Sequence, residues 1–186
     1  VETQGGGMGA LINKDGMDGV HTNMTNTRNT PIEVIENSYP LLIRKYALRQ
    51  DTGGAGKFRG GTGLVREIKI LNKEANITLS NERNFLKPWG LAGGKNAQGS
   101  KNTIEENGEI KLLPSKITTH IPKNSTIIYE TPGGGGYGNP LERDPELVLR
   151  DVKWGSVSLE KAKSDYGVVI DLKTKKVLEK ETKTLR

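Results

Sequence analysis

Apolar positions in the middle of the chain recur at a spacing of two, in short runs broken by glycine, asparagine and aspartate, which predicts short half-buried strands. From Leu41 the alternation places Leu42, Tyr46 and Leu48 on one face with polar Arg44 between them, and Asp51-Thr52-Gly53-Gly54 marks the end of that strand. Strands over 64–71 and 75–80, separated by Asn72-Lys73-Glu74, are predicted to pair as a hairpin. Residues 84–100, with Pro88-Trp89-Gly90 and Gly93-Gly94-Lys95, read as loop. Asn107-Gly108 between Thr103-Ile104 and Glu109-Ile110 signals a type I′ hairpin. Over 115–121, Ile117, Thr119 and Ile121 alternate with Lys116, Thr118 and His120, and Lys123-Asn124 turns the chain into a strand over 126–130.

Helical signals lie on either side of this region. Thr30-Pro31-Ile32-Glu33 has capping-box spacing, with Thr30 as N-cap, and predicts a short helix over 31–37. Asp144-Pro145 opens a second helix carrying Leu147, Val148 and Leu149, closed by Trp154-Gly155. Ser158 caps a third, with Leu159 and Ala162 inward and Gly167 after its end. A hairpin from 168–171 to 175–178 follows, and the tail beyond Glu179 is expected to fray. The predicted fold is α+β and mainly β, a barrel- or sandwich-like set of short strands with a C-terminal helix pair and hairpin. A parallel α/β arrangement is disfavoured, because no longer helices alternate with the strands over 41–130. Residues 1–143 are expected to form the β-rich core with glycine-rich loops, and 144–186 the helix pair and hairpin packed on it.

Composition narrows the chemistry. The 186 residues allow one ordinary core, and the absence of cysteine removes disulfides, thiolate metal sites and cysteine nucleophiles, which suits the cytoplasm. Only His21 and His120 are present, so a site of three imidazoles on one metal cannot come from this chain alone. The net charge of +6 is spread through lysines interspersed with acids, many after residue 160, which argues for a solvated surface over nucleic-acid binding. No apolar stretch approaches the roughly 18 residues of a membrane span, and no basic-then-apolar leader is seen, so neither a membrane nor a secretory role is expected. The chain opens at Val1 in a glycine run, Gly5 to Gly9, which suggests that a preceding portion exists.

Among candidate sites, the run Gly133 to Gly138 resembles a phosphate-cradling loop only superficially. The lysine and hydroxyl of a P-loop are missing, and no helix begins inside the run, so tight chain packing is favoured. Lys95 lacks strand–loop–helix context and reads as a solvated loop lysine, and His120 as an exposed strand residue. The segment from Asp15 to Thr30 is different. It has no periodicity and concentrates short hydrogen-bonding side chains, so His21, Asn23, Thr25, Asn26, Thr27 and Arg28 could present donors and acceptors to a polar ligand or a partner chain. The alternative, slightly favoured on the residues alone, is that they satisfy their own backbone through Asx and ST turns.

The same segment carries a resemblance. Gly5-Gly6-Gly7-Met8-Gly9-Ala10, followed by Asp15-Gly16-Met17-Asp18-Gly19-Val20-His21-Thr22-Asn23-Met24-Thr25-Asn26-Thr27-Arg28-Asn29-Thr30-Pro31, resembles the signature of the hydantoinase B family. Gly53 to Gly61, Pro88 to Gly94, Leu113 to Lys116, Glu130 to Pro140, Asp144-Pro145-Glu146 and Asp165 to Val168 extend it in family order over about 2–171. The family includes the B subunits of N-methylhydantoinase and 5-oxoprolinase and the related subunits of ketone carboxylases. The resemblance implies a carboxy-terminal part of a B component whose partner, a hydantoinase A-type subunit, uses ATP and Mg²⁺ to phosphorylate an amide oxygen. The activated species is then hydrolysed at its C–N bond. It implies no cofactor bound by this chain alone, a divalent metal held by the amino-terminal part of the B component, and no turnover by this chain in isolation. Two alternatives stay open: a B-type component of a ketone carboxylase, and a non-catalytic module that docks the A-type partner. Relatives often read His-x-His where this chain has His21-Thr22-Asn23, which weakens a metal role for that pair. His21, Asn23, Thr25, Asn26, Thr27 and Arg28 are therefore assigned to a substrate path or subunit junction.

Overall fold

The computed structural model describes residues 1–22, 25–171 and 173–186. In chain order it contains α1 (Ile32–Ser38), β1 (Leu41–Leu48), β2 (Leu64–Ile70), β3 (Glu74–Ser80), β4 (Lys101–Glu106), β5 (Glu109–Leu113), β6 (Lys116–Pro122), β7 (Thr126–Glu130), α2 (Pro145–Lys153), α3 (Leu159–Tyr166), β8 (Ile170–Asp171), β9 (Lys176–Val177) and α4 (Glu179–Leu185), with a 3-10 turn at Pro140–Glu142. Strand outweighs helix, 31% against 19%, so the chain is mainly β as expected.

Five strands form one antiparallel sheet in the order β1-β2-β7-β4-β5, and β3 and β6 form a separate ribbon. Alternation explains how they meet. Ile70, Ile104 and Ile127 point from the sheet into one cluster with Ile121 of β6, and Leu41, Leu113, Tyr129, Ala75 and Ile77 close around it. The arrangement is sandwich-like, and among the described residues the strands do not close into a barrel. The β4–β5 turn forms as predicted, with Asn107 and Gly108 both at positive φ, 52° and 82°, as a type I′ turn requires.

Four local expectations need correction. β2 and β3 do not form a hairpin: both edges of β2 are taken by β1 and β7, while β3 crosses to pair with β6 from Glu74↔Pro122 to Ser80↔Lys116. In β1 the register shifts between Ile43 and Lys45, so Arg44 is an extra residue. That bulge puts Tyr46 and Leu48, paired to Arg66 and Leu64, on the face of Leu41 and Ile43, and leaves Leu42 on the other face. At α1 the N-cap is Pro31, at φ −52° and ψ 142°, and no side chain caps the helix. An extended proline leaves Thr30 one position too early for its hydroxyl to reach the first turn. Finally, the tail does not fray. It forms α4, where buried Thr182 accepts the Val169 N–H at 3.1 Å and Arg186 donates to the Arg143 carbonyl at 2.6 Å.

The glycine runs build a second kind of core. The segment 132–138 gives and receives backbone hydrogen bonds on all sides: Gly7 N–H to Pro132, Gly54 N–H to Gly134, Gly134 N–H to Gly61, Ala10 N–H to Gly135, Gly136 N–H to Lys95 and Leu91 N–H to Gly136. That is more neighbours than a sheet strand can take, and it is possible only because side chains are absent between the backbones. A Cβ on Gly60 would run into the Gly134 carbonyl, and one on Gly135 into the Trp89 carbonyl. The expected tight packing of Gly133 to Gly138 is therefore what the structure contains. Beyond it, Ala55 joins Val148, Val157, Ala162, Tyr166 and Val168 in an apolar cluster that seats α2 and α3. Asp144 and Ser158 cap those helices as predicted, accepting from the Glu146 and Lys161 N–H groups, and Gly167 at φ 64° closes α3.

Candidate functional site

A cleft of about 960 Å³ opens between the glycine layer and the sheet. Its walls are backbone from Gly5 to Gly7 and from Gly133 to Gly135, the end of β3 with Asn81, the Pro88-Trp89 corner, and Tyr129 of β7. Glycine lining exposes peptide N–H and C=O groups where side chains would otherwise stand, so the cleft offers polar contacts from rigid backbone. Trp89 is exposed at the rim with the Arg83 guanidinium 5.1 Å from its ring centre.

Tyr129 lines the sheet side of the cleft, and its cross-strand neighbour Arg66 is buried outside the lining. Burial pushes the Tyr129 hydroxyl well above its ordinary pKa, nearby Glu2 adds to that, and Arg66 opposes it, so the phenol stays a neutral donor. Arg66 is almost wholly buried and stands between two tyrosines, paired in register to Tyr46 on one side and Tyr129 on the other. Its guanidinium lies 4.9 Å from the Tyr46 ring centre and 3.2 Å from a Glu2 carboxylate oxygen.

The loop that precedes His21 is anchored by charge. Asp15 accepts both terminal nitrogens of Arg143, at 2.7 and 2.8 Å, and the Arg59 N–H at 2.7 Å. Asp18 accepts the Arg59 guanidinium at 3.0 and 3.3 Å and the Thr62 N–H at 2.6 Å. Fully buried Asp151 on α2 takes the Arg143 guanidinium at 2.7 Å, and Arg59 stands 3.5 Å away. Burial raises the Asp15 and Asp18 carboxyls, but Arg143 and Arg59 with the backbone donors hold both below the ordinary value. Each carboxylate is thus occupied by a guanidinium, so the cluster has the donor set of a structural brace and not of a cation site. Among the described residues no group of three or more histidines, aspartates and glutamates is placed to hold a metal.

Against this geometry the predicted site residues divide. His21 and Thr25 line the cleft, and His21 Nδ1 lies 3.2 Å from Thr25 Oγ1. Asn26, with φ at 24°, Thr27 and Arg28 are exposed outside the cleft lining. Asn23 lies outside the described residues. Lys95 reaches Asp165 of α3 at 2.8 Å instead of standing free in solvent, and His120 is an exposed strand residue as expected. Sequence reasoning missed Glu2, Gln4, Arg66 and Tyr129. Arg66 had a signal: in Leu64-Val65-Arg66-Glu67-Ile68-Lys69-Ile70 it shares parity with Leu64, Ile68 and Ile70, an arginine on the apolar face of a strand. The ion cluster had none, because Asp15, Arg59 and Arg143 are far apart in sequence.

Comparison with known proteins places the cleft in context. The family described as Hydantoinase B/oxoprolinase matches residues 1–140, and every cleft residue lies within that span. The B component of a putative D-/L-hydantoinase from Pseudomonas sp. (strain NS671) is 43% identical over 168 residues, 89% of this chain and 28% of that protein. The crystal structure of the ATP-dependent caprolactamase from Pseudomonas jessenii superposes with a TM-score of 0.81 at 33% identity, over 96% of this chain and 32% of that one. A nucleotide-free acetone carboxylase shares the fold, with a TM-score of 0.83 at 23% identity over 98% of this chain and 29% of that one. This chain therefore spans about a third or less of the relatives it matches. With three quarters of its length inside the family match and its residues assembled around one cleft, the chain belongs to the hydantoinase B/oxoprolinase family.

Proposed function

We propose that this chain is the carboxy-terminal part of the B component of an ATP-dependent cyclic amidohydrolase of the N-methylhydantoinase or 5-oxoprolinase type, acting in the cytoplasm. The observation that carries the proposal is the backbone-lined cleft inside the family-matched span, at His21 and Thr25. The kinship with the B component of a hydantoinase and with an ATP-dependent caprolactamase supports the reaction class.

In this reading ATP and Mg²⁺ act on the A-type subunit, and a divalent metal belongs to the amino-terminal part of the B component. Phosphorylating the amide oxygen turns a resonance-stabilised lactam or imide into an imidate-like electrophile with a good leaving group. Water attacks its carbon, the tetrahedral adduct expels the ring nitrogen as an amine and leaves an acyl phosphate, and a second water hydrolyses that to the carboxylate and inorganic phosphate. This chain contributes a walled cleft in which peptide N–H groups and the neutral Tyr129 hydroxyl can orient a polar ring, with His21 at the wall. The exposed Phe85, Leu86 and Trp89, 91%, 77% and 61% accessible, of which Trp89 lines the cleft, serve contact with the rest of the enzyme.

The test uses the full-length B protein with its A-type partner. His21→Ala is expected to lower amide-dependent ATP hydrolysis while the two proteins still co-purify. Arg28→Ala, exposed and off the cleft, should weaken co-purification more than turnover. If both variants keep full turnover and assembly, the loop has neither role.

A further inference from the structure

The two layers of the sandwich are unequal, with five strands in one and only the ribbon of β3 and β6 in the other. Just Pro114 and Ser115 separate β5 from β6, which sets β6 over the β5 side of the sheet and turns the other edge of β3 toward β2 and β1. On that side Tyr46 and Leu48 of β1 are 42% and 44% exposed, and among the described residues no strand covers them. The edge of β3 is free as well. Bonds from the Asn81 N–H to the Ser115 carbonyl and from the Lys123 N–H to the Lys73 carbonyl put the odd-numbered residues of β3 in the bonded pairs with β6. The peptide groups of Asn76, Thr78 and Ser80 therefore point away from β6, and they find no partner among the described residues. Open edges are normally blunted by charge, proline or cover. β6 carries Lys116, His120 and Pro122, and at the edge of β1 the Glu36 carboxylate of α1 accepts the Ile43 N–H at 2.8 Å. Asn76, Thr78 and Ser80 form no such guard.

What would lie along this edge is indicated by the start of the chain. Thr78, Leu79 and Ser80 line the cleft together with Val1 to Gly7, whereas no residue of β6 does. Glu2 reaches Arg66 of β2 at 3.2 Å, so the terminal segment runs over the inner face of the sheet, beside β3. The chain spans only 28% to 32% of the relatives it matches, which leaves ample chain to occupy the gap. We propose that the segment leading into Val1 in the full-length B component pairs with the free edge of β3 as a third strand of the ribbon, and sets alternate apolar side chains down on Tyr46 and Leu48. The proposal rests on reading this chain as the carboxy-terminal part of that component. Main-chain bonds to Asn76, Thr78 and Ser80 supply the affinity, and the apolar face of β1 fixes which side chains point inward. The strand closes the cleft along β3 and leaves the glycine wall, with His21, to the ring.

The test is hydrogen exchange of the full-length B protein, read residue by residue. The amides of Asn76, Thr78 and Ser80 are expected to exchange roughly a hundredfold more slowly than the outward amides of Lys116, Thr118 and His120 on β6, which serve as the control within the same ribbon. Equal rates on the two edges would overturn the proposal. Thr78→Cys, combined with single cysteines placed in turn along the segment before Val1 in a protein stripped of other cysteines, identifies the occupant. Disulfides are expected at every second position, those whose side chains share the face of Thr78. Cross-linking to residues after Arg186, to the A-type partner, or to nothing would overturn it. Thr78→Pro removes an outward N–H and leaves the ladder to β6 intact, so it should speed proteolysis of the leading segment by about tenfold, while Thr118→Pro should not. Equal effects of the two prolines would also overturn it, and the cysteine pairs decide the matter if Thr78→Pro folds poorly. An enzyme that forms the strand but opens no cyclic amide would retain this inference and reject the amidohydrolase reading. An active amidohydrolase with a fast-exchanging β3 edge would reject the strand alone.

Discussion

The sheet sandwich and the glycine layer are both tightly packed, but by opposite means. In the sandwich, isoleucines from β2, β4, β6 and β7 fill the space between backbones, and stability comes from apolar side-chain burial. In the glycine layer the backbones touch each other, and little apolar side chain is available to bury. There, peptide hydrogen bonds and the Asp15, Asp18, Arg59, Arg143 and Asp151 network hold the segments together. A side-chain core can relax around a small change. A backbone core cannot, and the cleft is built on the one that cannot, which keeps its peptide groups fixed for a ligand.

The comparison can be broken most severely at Arg143, whose guanidinium is fully buried between Asp15 and Asp151. Arg143→Met removes the guanidinium that both carboxylates share, leaving them the longer ion pairs to Arg59 and Arg150, and is expected to cost about 3–5 kcal/mol, read from urea unfolding. Gly60→Ala adds one methyl group against the Gly134 carbonyl and should cost about 3 kcal/mol, since neither backbone can give way. Ile127→Val, which removes a methylene from the sandwich, should cost only about 1 kcal/mol. If Gly60→Ala proves milder than Ile127→Val, the account of the glycine layer is wrong.

A smaller effect separates the regions by pH. Asp15 and Asp18 have folded-state pKa values below the ordinary 3.8, so their contribution is complete above that value and is lost as pH falls below it. The urea midpoint should therefore drop on acidification through this range, and Asp18→Asn should flatten the drop.

The strands are readable because their signals are local. Thr126 to Glu130 and the Asn107-Gly108 hairpin follow from alternation and turn chemistry alone, and so do the caps at Asp144 and Ser158. The partner of β3 is not, because pairing depends on which sheet edges remain free after β1 and β7 flank β2. The bulge at Arg44 reverses the expected faces of β1 for the same reason, since only the register with β2 reveals an extra residue. α4 reads as a frayed tail because its sequence carries almost no apolar stripe, and it is held instead by Thr182 and Arg186. For the site, motif resemblance finds the loop of His21 and Thr25, but Glu2 of the cleft lining and the buried Arg66 it pairs with meet only in the folded chain.

The central claim is tested most directly by measuring ATP hydrolysis by the full-length B protein mixed with its A-type partner, in the presence of 5-oxoproline, hydantoins, or small ketones with bicarbonate. The account predicts hydrolysis coupled to opening of a cyclic amide, dependent on both proteins and diminished by His21→Ala. Hydrolysis coupled only to ketone carboxylation, or amide turnover by these 186 residues alone, would contradict it.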